Sequence, residues 1–418
     1  MTTTKNNEHK KLNFSSEREQ SQACLNSAEH EKNQGRKVLN VPNLRFPEFQ
    51  GEWEKTTIGE IATIKNGPFG SVLHAEDYVD EGMPIVTTEH FKSGNLPLSK
   101  NGIPQVSEDD YCRLKGYMLE TDDIVFSRVG SVDINAHVEH VQQGWLFSGR
   151  VLRVRPIKSV NSLCLHYVLS TESVKRDIRN RAVGQTMPSI NTPILSNTGI
   201  YMSQSEAEQK KIANLLSIID ERIVTQNKII DKLQSLIKGI RNDVFGKLRK
   251  DIGLNAKVGD VLSYEQPQPY IVEDTEYTAG GTPVLTANKA FVLGYTSETD
   301  GIYDKGDCII FDDFTLDCKY VDFPFKVKSS AIKILTAKNK ELLRYTFEFL
   351  KYLDLSTDEH KRHYIAETQN QEFILPTTQI VRTIAHAFST LSSRMQTIVK
   401  QRDMLELQKQ YLLRQMFI

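Results

Sequence analysis

Residues 205–245 read SEAEQKKIANLLSIIDERIVTQNKIIDKLQSLIKGIRNDVF, and apolar side chains recur along this stretch at alternating steps of four and three residues. Only Gln226 interrupts the series. A heptad series of this kind places one apolar seam along a helix of about 60 Å. The seam residues are Ile212, Leu216, Ile219, Ile223, Ile230, Leu233, Ile237 and Ile240.

A second copy of the seam lies 172 residues further along the chain, as the identities Ala213/Ala385 and Phe245/Phe417 show. Because identities outside the seam also recur, the pattern is a sequence repeat and not only a shared helical period. Two such seams in one chain most simply pair with each other, which predicts a two-helix coiled coil. The apolar positions of the second copy are Ile384, Phe388, Leu391, Met395, Ile398, Leu405 and Leu412.

Both ends of the first helix carry cap signals. Ser205-Glu-Ala-Glu208 has the spacing of a capping box, and Gly246 is placed where a C-terminal cap glycine is expected. Gln226 lies on the seam and could fix the register of a helix pair. Its counterpart is the apolar Ile398, so a tolerated polar position is the simpler interpretation.

The globular stretch before each helix is also repeated. Val258-Gly-Asp-Val261 corresponds to Ile58-Gly-Glu-Ile61 at an offset of 200 residues. The second stretch is therefore about 28 residues shorter than the first. Short apolar runs between glycines and prolines predict strands, and 161–181 is helical in pattern, so each domain mixes α and β structure. The strand runs are Pro84-Ile-Val86, Asp123-Ile-Val-Phe126, Gly144-Trp-Leu-Phe147 and Val151-Leu-Arg-Val-Arg155.

The predicted organisation is a domain followed by a helix, twice. Residues 1–40 are polar and aperiodic, which is typical of a disordered tail. The predicted segments after it are a first domain 41–204, a first helix 205–246, a linker 247–257, a second domain 258–375 and a second helix 376–418.

Composition excludes several classes of protein. The chain is 39% hydrophobic and 25% charged, and its apolar runs are too short to cross a membrane, so we expect a cytoplasmic protein. Five scattered cysteines without Cys-x-x-Cys spacing argue against a disulfide framework and a zinc site. Net charge is −1, but 205–250 carries ten Lys/Arg against six Asp/Glu, whereas 251–375 carries thirteen against twenty-one. An anion-binding surface must therefore be local.

From Leu44 to Ile418 the chain resembles the specificity subunits of type I restriction–modification systems. The resemblance rests on the duplicated helices and on short motifs in a fixed order. These motifs are Leu44-Arg-Phe-Pro-Glu-Phe49 with Trp53, Ile58-Gly-Glu-Ile61, Lys65-Asn-Gly-Pro-Phe-Gly70, Phe126-Ser-Arg-Val-Gly-Ser131 and Gly184-Gln-Thr-Met-Pro-Ser-Ile-Asn191.

The resemblance implies an α+β fold made by tandem duplication of a mixed α/β target-recognition domain, with each domain followed by a long helix and the two helices forming an antiparallel coiled coil. It also implies that each domain reads one half of a bipartite, asymmetric site in double-stranded DNA. Such proteins have no catalysis of their own. They act with two methylation subunits and, in the full complex, with restriction subunits. S-adenosylmethionine, ATP and magnesium would belong to those partners, and no cofactor is expected on this chain.

Candidate DNA contacts are cations, amides, small turn residues and aromatic side chains that could reach phosphates or base edges. Each motif also has an ordinary structural interpretation: a plain turn at 65–70, an ion pair for Arg128, or a solvated helix face at 175–181. In the first domain the candidates are Lys65, Asn66, Gly67, Phe69, Thr87, Arg128, Gly130, Lys175, Arg176, Arg179, Arg181, Gln185 and Thr186. In the second domain they are Asn288, Lys289, Thr315, Lys361, Arg362 and Tyr364.

The sequence predicts neither a catalytic nor a metal site. It contains no phosphate loop, His-Glu-x-x-His, Gly-x-Ser-x-Gly or dinucleotide-binding fingerprint. His137 and His140 lack carboxylate or cysteine partners at ligand spacing. One alternative from a different functional class stays open, namely a coiled-coil adaptor whose globular domains bind protein ligands.

Overall fold

A computed structural model describes residues 39–68, 77–287, 290–357 and 362–418. The described residues form two compact units: those up to Ile218 together with Gln408–Ile418, and Ile219–Leu407. Residues 1–38 of the predicted tail lie outside the described part, as do the candidate contacts Phe69, Asn288, Lys289 and Lys361.

The first domain is built from short strands and short helices. The four predicted strand runs each contain a strand, and the predicted helical region 161–181 is confirmed as two helices. The elements are β1 (Glu54–Thr57), α1 (Ile58–Ile61), β2 (Ala62–Asn66), β3 (Tyr78–Val79), β4 (Met83–Val86), β5 (Gln105–Val106), α2 (Glu108–Arg113), β6 (Ile124–Ser127), β7 (Asn135–His137), β8 (Leu146–Phe147), β9 (Val151–Pro156), α3 (Ser162–Leu169), α4 (Glu172–Arg181), α5 (Thr192–Ser196) and β10 (Gly199–Met202).

Two four-stranded sheets enclose the core of this domain. One sheet is antiparallel with the order β2-β9-β6-β7, and the other has the order β3-β5-β4-β8. Val125 of the first sheet, Val86 and Phe147 of the second, and Trp145 share one buried apolar cluster. On the other face of the first sheet, the buried His166 of α3 lies 2.7 Å from Asn135 Oδ1. Burial lowers the pKa of His166 well below its usual value, so this imidazole is neutral at pH 7.

Helix α6 (Glu206–Asp251) follows, and the second domain then repeats the plan of the first. The elements are β11 (Ala256–Lys257), α7 (Val258–Val261), β12 (Leu262–Glu265), β13 (Thr282–Leu285), β14 (Val292–Thr296), β15 (Cys308–Asp312), β16 (Cys318–Val321), β17 (Lys326–Val327), β18 (Ile332–Ala337), α8 (Leu342–Leu353), β19 (Glu372–Phe373) and α9 (Thr378–Gln415). The antiparallel sheet β12-β18-β15-β16 has the same order as β2-β9-β6-β7, and a three-stranded sheet β14-β13-β17 covers it.

The shorter length of the second domain is explained by two replacements. The described residues between β13 and β15 contain no α-helix, whereas α2 occupies the matching place in the first domain. Helix α8 stands where the first domain has α3 and α4. Phe349 of α8 packs with Phe245 of α6, Val381 of α9 and Phe311 of the sheet in one core, which fixes this domain to both long helices.

The two strands that open and close each domain pair with each other. In the first domain Thr57 pairs with Gly199, so β1 lies against β10. In the second, Lys257 pairs with Glu372, so β11 lies against β19. Each long helix begins a few residues after the closing strand. The domain is therefore an insertion whose entry and exit are joined beside its helix.

The caps of α6 differ in part from the prediction. Ser205 Oγ accepts the Glu208 amide at 3.3 Å, as expected for an N-cap. The Glu208 carboxylate does not close a capping box, because it is buried against Arg45 and Ser203. Gly246 lies inside the helix, so the prediction of a C-terminal cap there was wrong. The helix takes five residues of the predicted linker and ends before Gly253, whose φ is +78°.

Every seam position of α6 and α9 is buried or half-buried. Arg402 donates to Asn227 Oδ1 at 3.4 Å, and the Arg241 guanidinium lies 5.8 Å from the Phe388 ring. Along α6, Asn227 comes 14 residues before Arg241. Along α9, the partner of Asn227, Arg402, comes 14 residues after the partner of Arg241, Phe388. The two helices therefore run in opposite directions over this stretch. The Gln226 side-chain oxygen on the seam is buried and has no hydrogen-bond partner among the described residues.

A buried ion pair fixes residues 41–53, which we call the N-terminal arm, to α6. Arg45 Nε and Nη2 donate to the two carboxylate oxygens of the fully buried Glu208 at 2.7 and 2.8 Å. Burial by itself would raise the pKa of Glu208. The hydrogen bonds from Arg45 and Ser203 outweigh that effect, and the pKa is lowered. The carboxylate is therefore charged at pH 7 and depends on its partner cation.

Replacing Arg45 with alanine should lower the free energy of unfolding by about 3–5 kcal/mol, because a buried carboxylate loses its cation. Urea unfolding of the full chain measures this change. Lys211→Ala is the matched control, because it removes an exposed ion pair with Glu48 and should leave the unfolding midpoint nearly unchanged. Equal midpoints for Arg45→Ala and the wild type would contradict this role.

Candidate nucleic-acid interface

Three sequence motifs of the first domain meet at one end of its four-stranded sheet. Strands β2 and β6 both run antiparallel to β9, so both end at the same edge, at Asn66 and Ser127. Beyond them, Gly67 donates to Val151 O at 3.1 Å, and the Arg128 amide donates to Arg150 O at 2.9 Å. The loop before α5 joins this end, because the Ile190 amide donates to Arg128 O at 2.9 Å.

The segment Val183–Ser189 forms a closed projection, which we call the first-domain tip. Val183 and Ser189 exchange backbone hydrogen bonds of 2.9 and 2.8 Å, and Gly130 donates to Pro188 O at 2.8 Å. Gly184 has φ +104°, and a Cβ there would lie 2.7 Å from Met187 O. Only glycine fits such a turn without distortion. The tip is thus held in shape by its own backbone and by the loop after β6.

The side chains of this tip are presented to solvent. Gln185 and Thr186 are exposed and make no side-chain hydrogen bond with any described residue. Val183 and Met187 are 65% and 62% exposed. The predictions named Gln185 and Thr186 but missed Val183 and Met187, because apolar residues in a sequence are ordinarily assigned to the core.

Other first-domain candidates are engaged within the protein. Lys65 Nζ donates to Gly116 O at 2.6 Å and lies 4.8 Å from the Tyr117 ring. A Cβ on Gly67 would lie 2.0 Å from Ser148 O, so this glycine serves close backbone packing. The Thr87 amide donates to His90 Nδ1 at 3.1 Å. These contacts give each residue a structural role; their assignment to DNA stays a prediction.

The candidates at the ends of β2 and β6 differ in exposure. Arg128 is half-buried and donates to Gly149 O at 3.1 Å, whereas Gly130 is exposed. Asn66 has a buried side-chain oxygen without a hydrogen-bond partner among the described residues. The assignment of Arg128 to a guanine stays a prediction.

The four cations on α4 separate into two groups. Arg179 is bound to Glu172 and Asp133, which raises its pKa, and Arg181 is bound to Asp177 at 2.9 Å. Lys175 and Arg176 have no carboxylate partner among the described residues. They line a groove of about 580 Å³ together with Arg414 of α9. Lys175 and Arg176 are therefore the α4 cations that are free to meet a phosphate.

The second domain repeats the loop arrangement with other side chains. The His363 amide donates to Asp313 O at 3.0 Å, as Ile190 does to Arg128 O. The Asp313 carboxylate accepts the His363 and Tyr364 amides at 3.1 and 2.8 Å and lies 3.6 Å from the buried Lys333 ammonium. The position held by Arg128 in the first domain is thus held in the second domain by a buried aspartate that pairs with Lys333.

Two of the described second-domain candidates are exposed and one is not. Thr315 is exposed in the turn after β15, where Asp312 Oδ1 accepts its amide at 3.0 Å. Arg362 is also exposed. Tyr364 is 1% exposed and packs edge-on against Phe311, which gives its ring a role in the core; its assignment to DNA stays a prediction. Burial raises the pKa of its hydroxyl, as expected for a core tyrosine.

No cluster of three or more potential metal ligands occurs in the described ranges. His137 instead lies 3.1 Å from Asp122 Oδ1. Likewise, no described helix is long and apolar enough to cross a membrane.

Part of this chain is similar to a family of known proteins. Residues 50–235 match the family described as "Type I restriction modification DNA specificity domain". This stretch therefore carries a type I DNA specificity domain. A type I restriction enzyme specificity subunit from Escherichia coli is 45% identical over 126 residues, which are 28% of this chain and 31% of that protein. A putative type I restriction enzyme specificity subunit from Methanocaldococcus jannaschii is 29% identical over 227 residues, 50% of this chain and 49% of that protein.

The alignments thus span about a third to a half of the length of these two type I relatives. The crystal structure of a type I restriction–modification S subunit from M. genitalium shares the fold of this chain over nearly its whole length. The TM-score is 0.63 at 17% identity, and the match covers 90% of this chain and 99% of that chain.

Replacing Gly184 with alanine should distort the first-domain tip. The backbone at Gly184 has a positive φ that alanine rarely adopts, and the added Cβ would clash with Met187 O. We expect faster proteolytic cleavage within 183–189 and a stability loss about 1 kcal/mol larger than for Gly130→Ala. Gly130 is the matched control, because its φ is +84° but no atom would lie within 4 Å of a Cβ. Equal effects of the two substitutions would show that the tip is not closely packed.

Proposed function

We propose that this chain is the DNA-reading subunit of a type I restriction–modification assembly, in which each domain reads one half of a bipartite, asymmetric site in double-stranded DNA. The observation that carries the proposal is the repeated loop pair at the end of each central sheet. The same backbone hydrogen bond, Ile190 to Arg128 and His363 to Asp313, supports different side chains in the two domains. A shared frame with different surface residues suits two readers of different sequences.

The long helices act as the spacer in this proposal. Their seams are covered and they run antiparallel where they touch, which supports an antiparallel coiled coil. A stiff helix pair sets the distance between two readers, and hence the gap between the two half-sites. Because the second domain is acidic, its DNA contacts must come from local cations such as Arg362.

Two methylation subunits are the proposed partners, with restriction subunits in the full complex. Exposed apolar side chains on the long helices support a protein-binding face: Met404 and Leu407 on α9 are 69% and 70% exposed, and Leu236 on α6 is 52% exposed. We assign methyl transfer, ATP use and DNA cleavage to those partners, and no cofactor to this chain.

The proposal is tested by methylation of a randomised plasmid library with the full chain and its methylation subunit. Sequencing of the modified adenines should show two short defined stretches separated by a fixed unspecified gap. Modification without a two-part consensus would contradict the proposal. The chain alone is the control, and methyl transfer by it would contradict the non-catalytic assignment.

The adaptor alternative makes a different prediction for the same assembly. Binding to duplex DNA should weaken steeply between low and high salt if phosphates are contacted. An adaptor for protein ligands would show no specific duplex binding at any salt concentration.

A further inference from the structure

The first-domain tip contains polar and apolar side chains but no charged side chain. The sequence from Ala182 to Ser189 is Ala-Val-Gly-Gln-Thr-Met-Pro-Ser. The exposed members are two hydrogen-bonding residues, Gln185 and Thr186, flanked by two largely exposed apolar residues, Val183 and Met187. A tip without lysine or arginine cannot neutralise a phosphate or offer the cationic pair that guanine prefers.

The exposure of these apolar side chains is fixed by the backbone. The Val183–Ser189 hydrogen bonds close the tip, and Gly130 and Ile190 attach it to the loop after β6. Exposed apolar side chains at fixed positions cost free energy in water unless a partner covers them. The tip is therefore suited to a surface that offers apolar groups beside hydrogen-bonding groups.

The surroundings of the tip favour a polyanion as that partner. Helix α4 leads directly into the tip and carries Lys175 and Arg176, whose charges have no carboxylate partner in the described ranges. Phosphate contacts by these cations would position the protein, and the uncharged tip would then meet base edges.

The chemistry of the tip matches one base pair best. Adenine offers N7 and N6 to the bidentate amide of glutamine, and its partner thymine offers a methyl group to apolar side chains. We propose that the first-domain tip reads an A·T pair in the major groove, with Gln185 on the adenine and Met187 on the thymine methyl group. This inference rests on the proposed function, because it requires the first domain to bind DNA.

The second domain does not share this chemistry. Its corresponding stretch, Leu355 to Arg362, reads Leu-Ser-Thr-Asp-Glu-His-Lys-Arg and is densely charged. The A·T assignment therefore applies to the half-site of the first domain only.

The test measures the affinity of the full chain, assembled with its methylation subunit, for its own duplex site. Each thymine of the site is replaced singly with deoxyuridine, which removes only the methyl group. One replacement should weaken binding of the wild type about fourfold, the effect of one buried methyl group. Met187→Gln should lose that sensitivity, because the apolar contact is gone. Met187→Leu, the matched control, should keep it.

A parallel test addresses the adenine. Replacing the adenine opposite the sensitive thymine with 7-deazaadenine removes N7, so it should weaken the wild type but not Gln185→Ala. If the wild type binds its site specifically but no thymine shows a methyl effect that depends on Met187, the inference is overturned while the proposed function stands. If the wild type selects no duplex site, both fail.

Discussion

The short pairing of β1 with β10, repeated by β11 with β19, is the constraint on which the rest of the structure depends. Thr57 against Gly199 and Lys257 against Glu372 bring the start and end of each domain together beside its long helix. A domain held at its base can change length without moving the helix. The two domains can therefore differ by about 28 residues, whereas the offset of 172 residues is kept along the whole length of the two helices.

Buried charges reinforce this constraint at each base, with different residues in the two units. In one unit, Glu208 at the start of α6 holds Arg45 of the N-terminal arm. In the other, the buried Glu348 of α8 binds Arg241 of α6 at 2.7 Å and Arg344 of its own helix at 2.7 Å, and Arg344 reaches Phe388 O of α9 at 3.2 Å. A buried carboxylate left without its cation is costly, so these networks allow few alternative orientations of the elements they join.

Periodicity in the sequence predicted the two long helices and the duplicated domains. A seam or a repeat recurs many times, so it remains detectable when one position departs from the pattern. Periodicity did not locate the end of α6, since Gly246 is tolerated inside a helix when its neighbours continue the hydrogen-bond series. The exposure of individual candidate contact residues was harder to predict from the sequence. The neighbouring Lys361 and Arg362 suggested a surface position for Tyr364, but its ring fills the core beside Phe311. The apolar Met187, in contrast, is exposed because the backbone closes around Gly184. The spacing of polar and apolar residues shows neither the packing around Tyr364 nor the closed backbone around Gly184.

The central claim is that each domain reads its half-site independently on a fixed framework. Residues 258–371, which lie between β11 and β19, should be exchanged for the corresponding segment of a relative, and methylated sites should then be sequenced in the host genome. The account predicts that one half of the recognised sequence changes while the other half and the gap stay the same. A change in both halves, or in the gap, would contradict it.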